Sequence, residues 1–457
     1  MALAGCSGSD NVGDVMPTGN NSDEAIVFTT NLDDALWQEP TRATTGAISD
    51  LKAVPEGFGV IAYLTDNQTW SEAKGSISDF TTTGNYPRPD FMYDQPVTWN
   101  ATLERWGYSP MKYWPNTTGN NTNRYVSFFA YAPFVEGTVL DAASGTGVTG
   151  MTCADDLQPH VIYTVDEDGA PVDLLWAKYE DATRNGQGLI YFEDKTEKWQ
   201  AVPLKFKHAL ACLDVYVQRV YDEPTFSGKV AGKETDTTKV FMQELKLTCT
   251  NTASLGLFRK GRLNLETGQW TTFADNSDPE HPISDYWADK AGEASLTFPA
   301  TAFVDSLAGA LANSVDATEV RNLELEKWGV PTTGVDQDET LLFKGGSIML
   351  IPQSAELTIT PSIKYSMVTR GDPGDLIYSP LVDAAGNHYS RVLNNVTGNT
   401  LQLKLEASKR YKLVIRIGVE HVAFVVASVE DWDFPIRLNP SADPGNGEEI
   451  GHKLNED

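Results

Sequence analysis

Basic residues are scarce in this sequence, and their scarcity excludes one class of partner. Lys and Arg together number 35 against 63 Asp and Glu, which gives a formal net charge of −28. A surface with this excess of carboxylates repels phosphate backbones, so we expect no nucleic-acid partner. The first 41 residues contain no Lys or Arg, and Arg42 is therefore the first basic residue of the chain.

Long hydrophobic runs and catalytic motifs are also absent. No run of about 18 apolar residues occurs, so no transmembrane helix is predicted. The sequence has no Gly-x-Ser-x-Gly, no His-Glu-x-x-His and no phosphate-binding loop, and its six histidines lack metal-ligand spacing. We therefore predict no catalytic residue, no metal site and no cofactor. His208 is interpreted as a structural histidine on a strand, and the acidic loop Asp336–Thr340 as solvated because it lacks a calcium-loop ligand scheme.

Cysteine is rare, with four residues and no Cys-x-x-Cys pair. Cys212 and Cys249 both lie in strand-like runs, whereas Cys153 has no evident partner. Two readings stay open for Cys212 and Cys249, namely two buried free thiols or one disulfide.

The remaining cysteine belongs to a short motif at the start of the chain. Leu3-Ala-Gly-Cys6 resembles the lipobox of bacterial lipoproteins, in which the cysteine is acylated and the chain is cut just before it. The resemblance implies lipidation of Cys6 and stable anchoring by more than one acyl chain. Residues 1–24 then form the lipobox and a flexible tether, because their polar composition buries little apolar surface. The basic and hydrophobic segments that normally precede a lipobox are missing, so an accidental match is the alternative.

What the sequence has in quantity is material for β-structure. Its hydrophobic fraction is 41%, and 37 Gly accompany many Thr, Asn and Ser residues. Short apolar runs alternate with turn-rich gaps, and Leu401, Leu403 and Leu405 recur with a period of two. Leu413, Ile415 and Ile417 do the same, a pattern that predicts strands with one buried face. We therefore predict an all-β fold of antiparallel sandwiches.

The charged stretch Glu193–Gln200 separates two sets of strand-like runs and predicts a domain boundary. On this division residues 25–198 form an N-terminal β-sandwich, residues 199–438 a C-terminal one, and residues 439–457 a polar tail. One segment, Val304–Gly329, has a helical pattern and is predicted to be a short helical insertion.

Aromatic residues are dense between Trp106 and Pro115. An exposed cluster of this kind stacks on sugar rings, whereas a buried one forms a corner of the hydrophobic core. Both interpretations are kept here.

Several short strings, each weak alone, occur together in a fixed order. They are Ile26-Val-Phe28, Thr41-Arg42-Ala43, Gly57-Phe-Gly-Val-Ile-Ala-Tyr63, Trp99 to Trp114-Pro115, Ser127-Phe-Phe-Ala-Tyr-Ala-Pro133, Asp173-Leu-Leu-Trp-Ala177, Phe206-Lys-His-Ala-Leu210, Ile351-Pro-Gln353 and Asp431-Trp432. With the lipobox, this set resembles the fimbrillin-like family of Bacteroidales lipoproteins, the type V pilin subunits. The resemblance implies two tandem transthyretin-like β-sandwich domains, export as a lipoprotein to the outer membrane surface, and assembly into fimbriae that serve adhesion and biofilm formation.

The family resemblance also implies a route of assembly. In related pilins an arginine-specific surface protease cuts after an Arg near the N-terminus, the first strand leaves, and a strand of a neighbouring subunit fills the groove. Carried onto this chain, the cut falls between Arg42 and Ala43, and residues 25–42 are removed. Ile26, Val27 and Phe28 then belong to the leaving strand. The alternative is that Arg42 is an ordinary loop residue and the chain stays whole.

The tail carries a second alternating pattern, formed by Trp432, Phe434, Ile436 and Leu438. It is interpreted either as a donor strand for the next subunit or as the last strand of the second sandwich. Pro435 interrupts it, which opposes a long ladder.

The implied partners are other pilin subunits, the arginine-specific protease, the outer membrane through the lipid anchor, and a host protein or glycan. One alternative function is a surface glycan-binding β-sandwich lipoprotein, for which the Trp106–Trp114 side chains would have to be exposed. A hydrolase is the other, and it would need paired carboxylates in a cleft.

Overall fold

The computed structural model describes residues 25–32, 50–74, 80–83, 86–115, 124–136, 146–153, 158–168, 171–183, 189–191, 198–219, 238–250, 257–258, 260–271, 293–304, 339–353, 356–371, 381–382, 388–417 and 422–431. Several features predicted from sequence lie outside these residues. They are Cys6, Arg42, Ala43, all of the helical pattern after Val304, Asp336 to Asp338, and the tail residues Trp432, Phe434, Ile436 and Leu438.

Strands dominate the described part of the chain, as the all-β prediction requires. In the first half they are β1 Val27–Leu32, β2 Phe58–Asp66, β3 Phe80–Thr83, β4 Tyr86–Pro89, β5 Met92–Asn100, β6 Arg105–Gly107, β7 Tyr125–Ala132, β8 Gly147–Thr152, β9 His160–Thr164, β10 Leu175–Ala182, β11 Leu189–Tyr191 and β12 Lys198–His208.

In the second half the strands are β13 Ala211–Arg219, β14 Thr238–Thr250, β15 Lys260–Asn264, β16 Trp270–Thr271, β17 Glu293–Pro299, β18 Thr340–Leu341, β19 Ile348–Leu350, β20 Leu357–Gly371, β21 Leu381–Val382, β22 His388–Thr397, β23 Leu401–Leu403, β24 Lys409–Ile417 and β25 Val422–Asp431. In the described part of the chain, one short α-helix, α1 (Trp70–Ala73), and two 3-10 turns at Leu51–Ala53 and Ala300–Ala302 accompany the strands. Among the described residues no helix is long and apolar enough to cross a membrane.

The N-terminal half is built on an eight-stranded sheet in the order β1-β12-β10-β7-β2-β5-β6, with β11 also paired to β12. Successive side chains of a strand point to opposite faces, and both faces of this sheet are buried. Phe58, Val60 and Ala62 of β2 enter a core on the inner face, whereas Ile61 and Tyr63 enter a second core on the outer face. Contacts between β6 and β1 bring the two ends of the sheet together, so the sheet curls around its inner core.

The outer face is covered by a four-stranded sheet in the order β16-β15-β9-β8. This sheet joins β9 to β15, and the larger sheet joins β12 to β1 and β10. All three ladders pair residues that precede position 198 with residues that follow position 199, where the sequence suggested a boundary. The division into residues 25–198 and 199–438 stays a prediction.

The C-terminal half contains two sheets that share a core. One has the order β18-β13-β24-β25 with β19 paired to β13, and the other the order β17-β14-β20-β22-β21 with β23 paired to β20. Leu413, Ile415 and Ile417 of β24 are buried in the shared core and Arg416 is partly exposed, but Val414 is buried as well. The period-two prediction is therefore only partly met in β24. It holds for Leu401–Leu405, where Leu403 and Leu405 are buried and Gln402 and Lys404 are exposed.

The prediction of antiparallel sheets needs one correction. The ladders β1–β12 and β13–β24 are parallel, whereas the other ladders among the described strands are antiparallel. Parallel partners need a long connection, and in both pairs the two strands lie far apart in the sequence. Local alternation cannot reveal strand direction, because it fixes only which face is buried.

The structure bears on the interpretations given above for the cysteines and for His208. Cys153, Cys212 and Cys249 are all buried thiols that form no disulfide, so the alternative disulfide between Cys212 and Cys249 is wrong. The Nδ1 atom of His208 lies 2.9 Å from Oδ2 of Asp173, and both side chains are buried. A buried histidine paired with a carboxylate in this way serves the structure of the junction between β10 and β12.

Candidate functional site

The first strand occupies a groove at the edge of the N-terminal sheet. Along its whole length β1 pairs in parallel with Ala201–Phe206 of β12. Just before β1, Ala25 forms an antiparallel bridge with Tyr113, and the Ile26 N–H donates to the Lys112 carbonyl at 2.9 Å. Ala25 and Ile26 are counted with β1 as the first strand and belong to its two faces. We call the space formed by β12 and by residues 105–114 the first-strand groove.

The inward face of β1 lies in the inner core of the sheet. Ile26 is fully buried and Phe28 is 3% exposed. The Phe28 ring contacts Phe58 and Phe128 edge to face, at centroid distances of 6.1 and 5.7 Å, and the ring of Tyr108 at 5.7 Å. Such aromatic contacts add about 0.5–1.5 kcal/mol each to the free energy gained by burial alone.

The outward face of β1 is covered as well. Ala25 and Val27 pack with Ala201 of β12, and Met111 closes over them. Ile26 and Phe28 therefore face one way and Val27 the other, as a strand requires. The strand is buried on both faces although it stands at the end of the sheet order.

The aromatic segment after β5 forms the wall of the groove. Trp106, Tyr108 and Trp114 are buried, at 5%, 7% and 3% exposure. The interpretation of these rings as an exposed sugar-stacking platform is wrong, and that of a buried hydrophobic corner is confirmed. Large aromatic side chains bury most of their area in cores, and these three join the core that contains Phe28.

The polar atoms of this wall hold the first strand. The Tyr108 hydroxyl donates to the Ile26 carbonyl at 2.8 Å and accepts from the Lys112 N–H at 3.4 Å. The Trp106 Nε1–H donates to the Thr30 hydroxyl oxygen at 3.0 Å. Burial raises the pKa of Tyr108 well above its usual range, so the hydroxyl keeps its proton and remains a donor.

The sequence singled out both the first strand and the aromatic segment, but it did not join them. Trp106 and Thr30 are 76 positions apart, and Tyr108 and Ile26 are 82 apart. The available signal was chemical: a buried indole N–H or phenol O–H needs a hydrogen-bond partner. That rule does not say which strand supplies the partner, and it has an exception in the same wall, where the buried Trp114 Nε1 has no hydrogen-bond partner among the described residues.

The groove binds an extended strand through backbone pairing, hydrogen bonds from Tyr108 and Trp106, and apolar burial on both faces. Burying side chains such as Ile26, Val27 and Phe28 contributes roughly 1.5–3 kcal/mol each. Removing the strand would expose these apolar surfaces and the unpaired backbone of β12, which is an aggregation hazard. Among the described residues no group of three or more His, Cys, Asp or Glu is arranged to hold a metal ion.

Comparison with known proteins adds a family relation. A family model described as fimbrillin-like matches residues 41–432, a span that begins after β1. The curated protein Fimbrium subunit Fim1C of Phocaeicola vulgatus is 24% identical over 289 residues, which are 63% of this chain and 64% of that protein. The chain thus covers just under two thirds of this relative's length.

Two solved structures are similar over nearly the whole chain. A fimbrial protein from Bacteroides vulgatus is 18% identical, with a TM-score of 0.49, and the match covers 90% of this chain and 99% of that one. A fimbrial assembly protein from Parabacteroides distasonis is 10% identical, with a TM-score of 0.28 and coverage of 89% and 94%.

Proposed function

The chain belongs to the fimbrillin-like family, and we propose that it is a fimbrial subunit whose first strand is exchanged for a strand of a neighbouring subunit. The curated relative is itself a fimbrium subunit, which supports a place in a cell-surface appendage. On this proposal the first-strand groove is the assembly site, and its occupant β1 is a temporary one.

The observation that carries the proposal is the position of β1. The strand stands at the end of the sheet, pairs along its length with β12, and lies between β12 and residues 105–114. Backbone pairing with β12 gives an incoming strand its affinity, and the alternating pockets for Ile26 and Phe28 give it register. The strand also protects an apolar edge until a partner is present.

Release of β1 requires a break in the chain that follows it. We propose that an arginine-specific surface protease cuts between Arg42 and Ala43, and that residues 25–42 then leave. Arg42 is the first basic residue of the sequence, so no earlier bond competes for such a protease. Glu39-Pro-Thr-Arg42 is polar and contains a proline, features that favour an accessible loop.

The remaining elements of the proposal concern location and use. Acylation of Cys6 anchors the exported chain in the outer membrane before assembly. The finished fimbrium serves adhesion and biofilm formation through contacts with a host protein or glycan. No described feature favours the alternatives of a glycan-binding lipoprotein or a hydrolase, and burial of Trp106 and Trp114 removes the sequence signal for the first.

The substitution Arg42→Lys tests the proposal with little disturbance of charge or size. An arginine-specific protease does not cut after lysine, so we expect the variant to keep its N-terminal segment and to remain unassembled. The measurements are the N-terminal residue by mass spectrometry and the polymer ladder on denaturing gels. Arg124→Lys is the matched control, because Arg124 forms an exposed ion pair with Asp66 away from the groove. A polymer of Arg42→Lys formed at the normal rate would show that the cleavage site is wrong.

A further inference from the structure

We propose that the first-strand groove selects the strand that replaces β1 by three alternate positions, which must be aliphatic, aromatic and a hydrogen-bond acceptor in that order. The donor is then a different subunit that carries this pattern, and not the segment Trp432–Leu438 of a second copy. This inference rests on the proposed exchange of β1. It concerns which strand is accepted, a question that the exchange itself leaves open.

The backbone contacts of the groove do not discriminate between strands. They comprise the parallel ladder with β12, the bond from the Ile26 N–H to the Lys112 carbonyl, and the bond from Tyr108 to the Ile26 carbonyl. Any extended segment offers the same N–H and C=O groups, unless it contains proline at a donating position. Selection must therefore come from side chains.

The first two positions are apolar and differ in shape. Ile26 is fully buried among aliphatic and aromatic neighbours of the inner core. Phe28 stands between Phe58, Phe128 and Tyr108, which leaves a slot for a flat ring. An aliphatic residue in this slot would forfeit ring contacts and leave a void, which costs stability in a close-packed core.

The third position is polar, and Trp106 determines its chemistry. The indole N–H can only donate, and in this structure it donates to the Thr30 hydroxyl. Edge contacts with Phe58 at 4.9 Å and Trp99 at 5.2 Å hold the Trp106 ring in the orientation that points its N–H at Thr30. An incoming strand without an acceptor here leaves a buried donor unpaired, which costs about tenfold or more in affinity.

The tail of this chain does not meet the third requirement. The alternating side chains Trp432, Phe434, Ile436 and Leu438 contain no hydrogen-bond acceptor, since the indole of Trp432 only donates. A reversal of direction leaves these four side chains without an acceptor. A shift by one residue would instead turn Asp433, Pro435 and Arg437 inward, and these supply neither the aliphatic nor the aromatic position. A second copy that inserted these residues would leave the Trp106 N–H without a partner.

The side-chain pattern can be tested first in the uncut chain, where β1 and the groove belong to the same molecule. Thr30→Val keeps the shape of the side chain and removes the acceptor, whereas Thr30→Ser keeps the acceptor and serves as the matched control. We expect amide hydrogen exchange of β1 to be about five- to tenfold faster in Thr30→Val than in Thr30→Ser. In a Trp106→Phe background the two variants should exchange equally. Equal rates with Trp106 present would overturn the third position.

The second measurement identifies the donor. The chain is treated with an arginine-specific protease, and the protease is then inhibited because the tail peptide contains Arg437. Fluorescent peptides of residues 25–32, of the same sequence with Thr30→Val, and of residues 431–439 are added after inhibition. We expect the first peptide to enter the groove and the tail peptide to bind at least about tenfold more weakly. Equal binding of the tail peptide would overturn the inference and leave strand exchange standing. If no peptide enters, the proposed exchange fails, and the hydrogen-exchange result alone decides the pattern.

Discussion

At the scale of single residues, the first strand is held by the burial of Ile26 and Phe28 and by the bond from the Trp106 indole N–H to the Thr30 hydroxyl. The alternation of Ile26, Val27 and Phe28 correctly separates the two faces of β1, because side chains of a strand alternate whatever the fold. The bond from Trp106 to Thr30 escapes prediction, because it depends on how the sheet curls. Hydrophobic periodicity contains no information on such distant polar contacts.

Asp94 gives a residue-scale prediction about pH. The Tyr131 hydroxyl donates to its Oδ1 at 2.6 Å, and burial raises the pKa of Asp94 from 3.8 to about 6. The folded chain therefore keeps this proton up to about pH 6, while the unfolded chain loses it near pH 4. Stabilisation from this group is complete below about pH 4 and is lost as the pH rises through 6.

The substitution Asp94→Asn should remove this pH dependence. Asparagine tolerates the positive φ of 48° at this position, and its amide oxygen still accepts from Tyr131. Denaturant unfolding at pH 4 and pH 7 measures the effect. Relative to Asp94→Asn, the unsubstituted chain should lose on the order of 2–3 kcal/mol between these values. Asp66→Asn, at a φ of 52° but with an exposed side chain, controls for the substitution itself. Parallel pH curves for the unsubstituted chain and Asp94→Asn would refute the assignment.

At the scale of elements, β1 depends on side-chain bonds that an ordinary edge strand lacks. Strand existence was predictable from short apolar runs, but the parallel direction of β1 beside β12 was not. The groove closes only because residues 105–114 reach over β1 and bond to its backbone. This wall is formed by a segment that sequence reasoning could describe only as aromatic.

Tyr108→Phe tests the contribution of the wall to the first strand. The Ile26 carbonyl loses its donor, so β1 amides should exchange about three- to tenfold faster while the amides of β24 change little. Tyr411→Phe is the matched control, because the Tyr411 hydroxyl also donates to a main-chain carbonyl, that of Lys404, within the C-terminal half. In Tyr411→Phe we expect faster amide hydrogen exchange near Tyr411 and Lys404 and no change in the exchange of β1. Equal acceleration in both halves would mean that the bond acts on global stability and not on the strand.

At the scale of the whole molecule, fold class followed from composition and alternation, whereas the arrangement of sheets did not. The ladders β9–β15 and β1–β12 join segments that lie far apart, and one charged stretch cannot mark where such sheets divide. On the proposed function, the acidic excess of the chain favours solubility of a subunit that gives up its edge strand. Residues 1–41 contain no Lys or Arg, so the proposed cut after Arg42 lies just after the segment that contains β1.

The central claim is that assembly requires β1 to leave its groove, and a reversible lock tests it most directly. Val27 and Ala201 are register partners on the same face, and neighbouring strands lie about 4.8 Å apart, so cysteines at both positions can form a disulfide. The three native cysteines that the structure describes are buried and should not compete. The measurement is the rate of polymer formation by Val27→Cys/Ala201→Cys with and without reductant, beside each single variant. We predict that the oxidised double variant is cleaved but stays monomeric and that reduction restores assembly, whereas assembly of the oxidised form at the rate of the single variants would contradict the account.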